Sequence, residues 1–283
     1  MNALKTAILL GVLTAILLVG GQAIAGRQGL YIAFAMSVLM NLGAYFFSDK
    51  LALMSYSAQP VSETENPEVF RRVAPIVRGL AQRMNIPMPK LWIIPEDSPN
   101  AFATGRNPNH ASVAFTSGIL QLMSDNELEG VIAHELGHVL HRDILISSVA
   151  AMLAGTITFL ASMAKWAMIF GGSSRDDEDR GNPIASIAMI ILAPLAAGLI
   201  QMAISRSREY DADEASAKYV GSPYPLIGGL QKLETYSKRI PMDASPSTAH
   251  LFIIKPFSGE SFMRLFSTHP STEDRIARLQ AMR

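Results

Sequence analysis

The sequence contains no cysteine. That absence excludes disulfides, thiolate metal sites and cysteine nucleophiles, so any bound metal has to be held by His, Asp or Glu. Charge is scarce as well: Asp, Glu, Lys and Arg make up 17% of the 283 residues, against roughly 25% in average soluble domains. Apolar residues reach 49%, and mean hydropathy is +0.23. A disordered chain is excluded, and the balance favours segments that lie in lipid over an ordinary soluble enzyme. Neither sign of charge predominates, with 24 basic and 24 acidic residues. Without a basic surplus, no nucleic-acid partner is expected. Internal repeats and long low-complexity runs are missing too.

What the sequence does have is four apolar stretches of the length a bilayer demands, about 20 residues. They cover 6–26, 28–48, 144–164 and 181–205. Each is rich in Leu, Ile, Ala and Met, with small residues that suit helix packing in lipid. For the first, a cleaved signal peptide competes, with Lys5 as its basic end and Ala23-Ile24-Ala25 as its cleavage site. The apolar run outlasts the usual signal core, which favours a retained helix. For the last two, buried core helices compete, and length again favours lipid. Lys5, Lys50, Arg71, Arg72, Arg142, Arg206 and Arg208 fall on one side of this arrangement; Arg27, Lys165, Arg175 and Arg180 fall on the other. The positive-inside rule then places the hydrophilic segments in the cytoplasm. The loop 171–182, GGSSRDDEDRGN, reads as a solvated turn with no chemistry.

The chain divides accordingly into an N-terminal hairpin (1–48), a first polar part (49–143), a second hairpin (144–205) and a second polar part (206–283). In the first polar part, Val69, Val73, Ile76 and Leu80 recur at helical spacing and predict a helix over 63–84. Residues 91–94, 101–104 and 112–116 read as strands, the last two separated by the polar loop GRNPNH. A short helical piece follows at 118–123. Ser124 and Glu127 then form a capping box, which marks the start of a helix through LEGVIAHELGHVLHRD. The second polar part predicts helices over 206–220, 224–236 and 271–282, with the Pro-containing loop PMDASPSTAH between the last two. The fold class is mainly α (α+β), an integral membrane protein with four transmembrane helices and a small β-sheet.

The strongest chemical signal is His134-Glu135-Leu136-Gly137-His138. Positions i and i+4 share one helix face, so the two imidazoles can grip one zinc ion while Glu135 accepts a proton from water. Such a pentapeptide also arises by chance, but the capping box and the unbroken helical pattern give it the required setting. A solvated helix with two surface histidines does not explain the apolar flank of Val131, Ile132, Leu136 and Leu140. A catalytic zinc usually takes three protein ligands. His141 lies on the same short arc and reads as a helix-end cation or a supporting group. Glu209 is the better third ligand, for a topological reason. The His134–His138 helix enters the second hairpin near Asp143, and the hairpin has to return the chain to the same face of the bilayer. Glu209 therefore emerges beside the histidines. Asp213, one turn further on, is placed to accept a hydrogen bond from the far nitrogen of a ligand imidazole. Asp143 is a weaker candidate for the same supporting role.

HELGH, a membrane hairpin, EYDAD and then Thr268-His269-Pro270 resemble the HtpX-type membrane zinc metalloproteases, which share a peptidase family with the CAAX prenyl endopeptidases. The resemblance spans nearly the whole chain. It implies a gluzincin-type domain with one zinc on His134, His138 and Glu209, and with Glu135 as general base. It implies protein or peptide substrates, membrane proteins among them, cleaved at the cytoplasmic face of a bacterial inner membrane in the service of quality control. Asn100-Ala101-Phe102-Ala103 resembles the family's edge strand, on which an extended substrate can pair. His269 resembles the histidine that stabilises the oxyanion, and Arg275 an ion-pair partner. Two alternatives remain open: a CAAX-type prenyl-protein processing protease, whose branch generally has more membrane helices, and a non-catalytic membrane scaffold, which would be expected to have lost Glu135.

Overall fold

The fold is that of a computed structural model, which describes residues 2–147, 149, 206–237, 253 and 270–282. It is mostly helical, with one small mixed sheet. The first element, α1 (Asn2–Ser55), is broken at Ala25 and Gly26, where the backbone leaves helical geometry. Gly26 has a φ of 54°, a left-handed conformation that glycine adopts without a Cβ penalty. The chain folds back there. Asn41 Nδ2 donates to Thr14 Oγ1 at 3.0 Å across the two arms, and Gly21 faces Gly29 with no room for a Cβ on either. The arms correspond to the expected stretches 6–26 and 28–48. Ala25–Phe47 is long and apolar enough to cross a membrane, whereas Thr6–Gln22 is a shorter apolar helix. The stretch 144–164, from residue 150 on, and the whole of 181–205 lie outside the described residues, as do the loops 171–182 and 241–250.

Strands β1 (Gln59–Val61), β2 (Lys90–Ile94), β3 (Ala101–Gly105) and β4 (Ala111–Thr116) form a sheet in the order β1-β2-β4-β3. The β2–β4 pair is parallel and the two outer pairs are antiparallel. Three of these strands match the expected ones to within a residue; β1 has no counterpart. It is three residues long with Pro60 at its centre, too short to show an alternation and tolerable only because it is an edge. Alternation along the sheet gives it two apolar faces. Val61, Leu91, Ile93, Ala101, Ala103, Val113 and Phe115 point into the main core. Ile94, Phe102 and Ala114 point the other way, where Ala52 and Leu53 at the end of α1 cover them.

The helix expected over 63–84 starts later, as α2 (Pro67–Arg83). Ser62 holds residues 62–65 in a tight turn, its Oγ accepting from Glu65 N at 3.0 Å. Asn66 takes a φ of 53° ahead of Pro67, and a residue before proline avoids the helical region. Arg72 on α2 then ties it to the next elements, reaching Asp125 Oδ1 at 2.7 Å and Met123 O at 2.6 Å. Helix α3 (Ser117–Leu122) leads to α4 (Asp125–Leu140), whose start carries the complete Ser124/Glu127 capping box. Helices α5 (Arg206–Val220), α6 (Tyr224–Ser237) and α7 (Thr272–Ala281) complete the described chain.

Helix α4 is the centre of the molecule, buried on nearly every side from Leu128 to Val139. Two glycines let its neighbours approach. A Cβ on Gly130 would fall into the backbone of Pro225 and Leu226 in α6, and one on Gly137 would stand 3.1 Å from Ala212 Cα in α5. Ser216 of α5 seals the contact, its hydroxyl donating to Gly130 O at 2.7 Å.

Candidate metal centre

The close approach of α5 to α4 at Gly137 and Ala212 sets the distance between the two histidines and Glu209. His134 Nε2 and His138 Nε2 lie 3.3 Å apart. Glu209 Oε2 is 3.7 Å from the first of these nitrogens and Glu209 Oε1 is 3.5 Å from the second. A tetrahedral zinc ion with bonds of about 2.0–2.1 Å needs ligand atoms roughly 3.4 Å apart. The two carboxylate oxygens each approach a different imidazole nitrogen, and one ligand atom from each side chain lies within 4.8 Å of the other two, so the three side chains could hold one small cation.

Charge points the same way. Among the described residues, the buried ionisable side chains comprise four carboxyl groups, Glu135, Asp143, Glu209 and Asp213, and two guanidiniums, Arg208 and Arg275. Carboxyl groups outnumber guanidiniums by two, and buried negative charge is expensive in an apolar interior unless a cation offsets it. Burial opposes the charged form of His138, but Asp143, Glu209 and Glu135 hold its pKa up to about 9. Burial pushes Glu135 up to about 8. His134 goes the other way, down to about 4, through burial and the charge of Arg275. A neutral imidazole is the form that ligates a metal.

Each ligand imidazole is supported from behind. His134 Nδ1 lies 2.9 Å from Asp213 Oδ1, so the ring can donate there and keep Nε2 free as a ligand atom. Arg275 grips the same carboxylate with Nε at 2.9 Å and Nη2 at 2.6 Å, and donates from Nη1 to Ile253 O at 3.1 Å. His138 Nδ1 lies 3.4 Å from Asp143 Oδ2, and Arg208 Nη1 lies 3.9 Å from Asp143 Oδ1. The structure thus brings His134, His138, Glu209, Asp213, Asp143 and Arg275 together, with Glu135 among them. His141 caps α4 at the surface, away from the ligand group. His269 lies outside the described residues. Arg208 is the member that sequence reasoning missed: a charge next to a glutamate looks solvated until its burial is seen.

Strand β3 borders the site. Its register on β4 leaves the N–H groups of Ala101 and Ala103 on the free edge. Ala103 N donates to Glu135 Oε2 at 2.9 Å, and Ala101 N donates to Asn100 Oδ1 at 3.0 Å. Asn100 itself is fixed by Thr116, whose Oγ1 accepts from Asn100 N at 2.8 Å. Phe102 points away from the site, onto the end of α1.

Two imidazoles one helical turn apart, a carboxylate from a second helix and a carboxyl group beside the first imidazole define the metallopeptidase class of site. The chain belongs to peptidase family M48, whose pattern matches residues 67–283. It is similar to the protease HtpX homologue of Thermodesulfovibrio yellowstonii, 53% identical over 282 residues covering 100% of this chain and 99% of the relative. The protease HtpX homologue of Desulforapulum autotrophicum is 52% identical over 280 residues, 99% of this chain and 89% of the relative. The fold is similar to that in the crystal structure of S. mikatae Ste24p, with a TM-score of 0.51 at 19% identity over 98% of this chain and 64% of that one. The protein is a membrane-bound metallopeptidase, and its family implies a bound metal.

Proposed function

We propose that this peptidase is a gluzincin-type zinc endopeptidase that cleaves misfolded or damaged membrane proteins at the cytoplasmic face of a bacterial inner membrane. One zinc ion per chain is held by His134, His138 and Glu209. The observation that carries the reading is that one ligand atom from each of His134, His138 and Glu209 lies within 4.8 Å of the other two, inside a buried cluster in which carboxyl groups outnumber guanidiniums by two. When bound, zinc supplies Lewis acidity to the oxygen it meets and makes water a nucleophile at neutral pH.

Glu135 is the general base. Its Oε2 is engaged by the Ala103 N–H, so Oε1 takes the proton from water and later delivers it to the leaving amine. Residues Asn100, Ala101, Phe102 and Ala103 offer an extended substrate the outer edge of β3, where it displaces the contacts of the Ala101 and Ala103 N–H groups to Asn100 and Glu135 and pairs without demanding a sequence. That suits a quality-control enzyme. His269 assists the oxyanion. Four spanning helices over 6–26, 28–48, 144–164 and 181–205 keep the site at the membrane surface, within reach of substrates embedded in lipid.

Metal analysis and digestion of an unfolded protein such as casein test the reading together. Glu135→Gln is expected to keep its zinc and to lose about 10²- to 10⁴-fold in rate, the usual worth of a general base. Glu209→Ala is expected to lose zinc, and a chelator to abolish cleavage by the native chain. Cleavage at the native rate by zinc-loaded Glu135→Gln, or full zinc occupancy in Glu209→Ala, would refute the assigned roles.

A further inference from the structure

We propose that Arg208 is a positioning residue: acting through Asp143, it holds His138 in the orientation in which that ring donates to a metal. The inference rests on the metal-centre reading and extends it to a side chain outside the ligand set.

The two ligand histidines are backed by the same sequence of groups. Behind His134 stand Asp213 and then Arg275, with contacts of 2.9 Å and 2.6 Å. Behind His138 stand Asp143 and then Arg208, with contacts of 3.4 Å and 3.9 Å. The second relay is built on the same plan and is looser at each link. The Arg208 side chain is 8% exposed, and among the described residues none of its three guanidinium nitrogens has a hydrogen-bond acceptor. Withdrawing a guanidinium from water on those terms is costly. A leucine or methionine of similar size would fill the space more cheaply. What the guanidinium adds there is its charge, and the carboxylates it faces are Asp143 and Glu209.

The charge has a definite task. Arg275 cancels Asp213 and Arg208 cancels Asp143. Glu135 and Glu209 are the two carboxyl groups left over, and they face the cation position and the substrate. Without Arg208 a third buried carboxyl group lacks a guanidinium partner, and Asp143 is no longer held against His138. Placement along the chain adds a second consequence. Asp143 immediately precedes the 144–205 stretch and Arg208 closely follows it. His138 is therefore oriented by residues at both ends of the second apolar hairpin, whereas His134 is oriented from α5 and α7. A shift of one end against the other acts first on the 3.9 Å link.

The test uses the full-length chain in detergent with Co2+ as the probe, because its visible absorption reports ligand geometry. Arg208→Gln is expected to bind Co2+ about tenfold more weakly and with an altered band shape. Arg208→Lys keeps the charge and is expected to stay within about threefold of the native chain, since the 3.9 Å contact does not use a bidentate fork. Asp143→Asn is expected to weaken binding as much as Arg208→Gln does, and the double variant no more than Asp143→Asn alone. A merely structural arginine would lower the unfolding temperature of the metal-free protein and leave Co2+ affinity and spectrum unchanged. Native affinity and spectrum in Arg208→Gln, equal losses in Arg208→Lys and Arg208→Gln, or additive losses in the double variant would each overturn the proposal. If Arg208→Gln does not fold, native affinity in Asp143→Asn overturns it, and a loss there with Arg208→Lys near native supports it. His134→Ala separates this proposal from the reading beneath it. Undiminished Co2+ binding by that variant removes the metal centre, and the proposal with it. Binding by the native chain and not by His134→Ala keeps the centre and leaves Arg208 to be judged by its own variants.

Discussion

Asp213 and Asp143 perform the same service at different distances, and the difference is measurable. At 2.9 Å from His134 Nδ1, Asp213 is within good hydrogen-bond range, and two guanidinium nitrogens fix it in turn. Asp143 stands 3.4 Å from His138 Nδ1. Outer partners of this kind are worth about 10- to 100-fold in metal affinity. Asp213→Asn is expected to fall toward the upper part of that range, and to lose more than Asp143→Asn, in a competition against a chelator. Equal losses would mean that distance to the imidazole is not what sets the contribution. At this scale much of the site was legible in the sequence. The i, i+4 spacing of His134 and His138 is a property of any helix, and the expectation that a hairpin brings the chain back to one face pointed to Glu209. The burial of Arg208 was not legible, because its counter-charge Asp143 reaches it only through tertiary packing. Nor was the Ala103 N–H on Glu135, since a backbone donor leaves no mark on residue type.

Helix α4 carries His134, Glu135 and His138, so its N-terminus bears on more than local stability. Ser124 N and Oγ meet Glu127 Oε2 at 2.9 Å and 2.7 Å. Lys232 of α6 reaches the same oxygen at 2.7 Å, latching α6 to the start of α4. Burial raises the Glu127 pKa, but Lys232 and Ser124 outweigh it and hold the carboxyl below its usual value of 4.5. A carboxyl depressed by folding stabilises the fold above its unfolded pKa, and that contribution is lost as pH falls through the folded value. Glu127→Gln is therefore expected to cost about 0.5–2 kcal/mol at neutral pH, the range of an N-cap. The deficit should shrink as pH falls below the usual carboxyl value of 4.5 and through the lower folded value, where the native carboxyl also becomes neutral. Denaturant unfolding at the two pH values checks it; a deficit that persists in acid would assign the loss to shape and not to charge. The elements that escaped sequence reasoning were those with too few residues to show a period. Strand β1 spans three residues, and the true start of α2 depends on the Ser62 turn and on Asn66, which carry no hydrophobic pattern at all.

Among the described residues, the end of α1 meets the catalytic part through a small apolar contact. Ala52 and Leu53 at the end of α1 pack on Ile94, Phe102 and Ala114, the face of the sheet opposite the core. Phe102 belongs to the strand whose edge runs past Glu135, so the membrane arm and the substrate edge share a residue's neighbourhood. That arrangement has a purpose only if the polar parts sit on one side of the bilayer and the hairpin turns on the other. The absence of native cysteine makes the point directly testable, because any single introduced thiol is unique. Arg27→Cys lies at the exposed turn of the first hairpin, and Glu63→Cys lies on the exposed surface between β1 and α2. In intact spheroplasts a membrane-impermeant maleimide is expected to label Arg27→Cys and to spare Glu63→Cys until the membrane is broken. Ser174→Cys, in the acidic segment between the apolar stretches 144–164 and 181–205, is expected to behave like Arg27→Cys, because about 20 apolar residues on each side suffice to carry that segment across. If it behaves like Glu63→Cys instead, the second pair of apolar segments does not cross, and the site is tied to the membrane by the first hairpin alone. If Glu63→Cys is labelled in intact spheroplasts, the bias of Lys and Arg has been read in the wrong sense, and the metal centre faces outward.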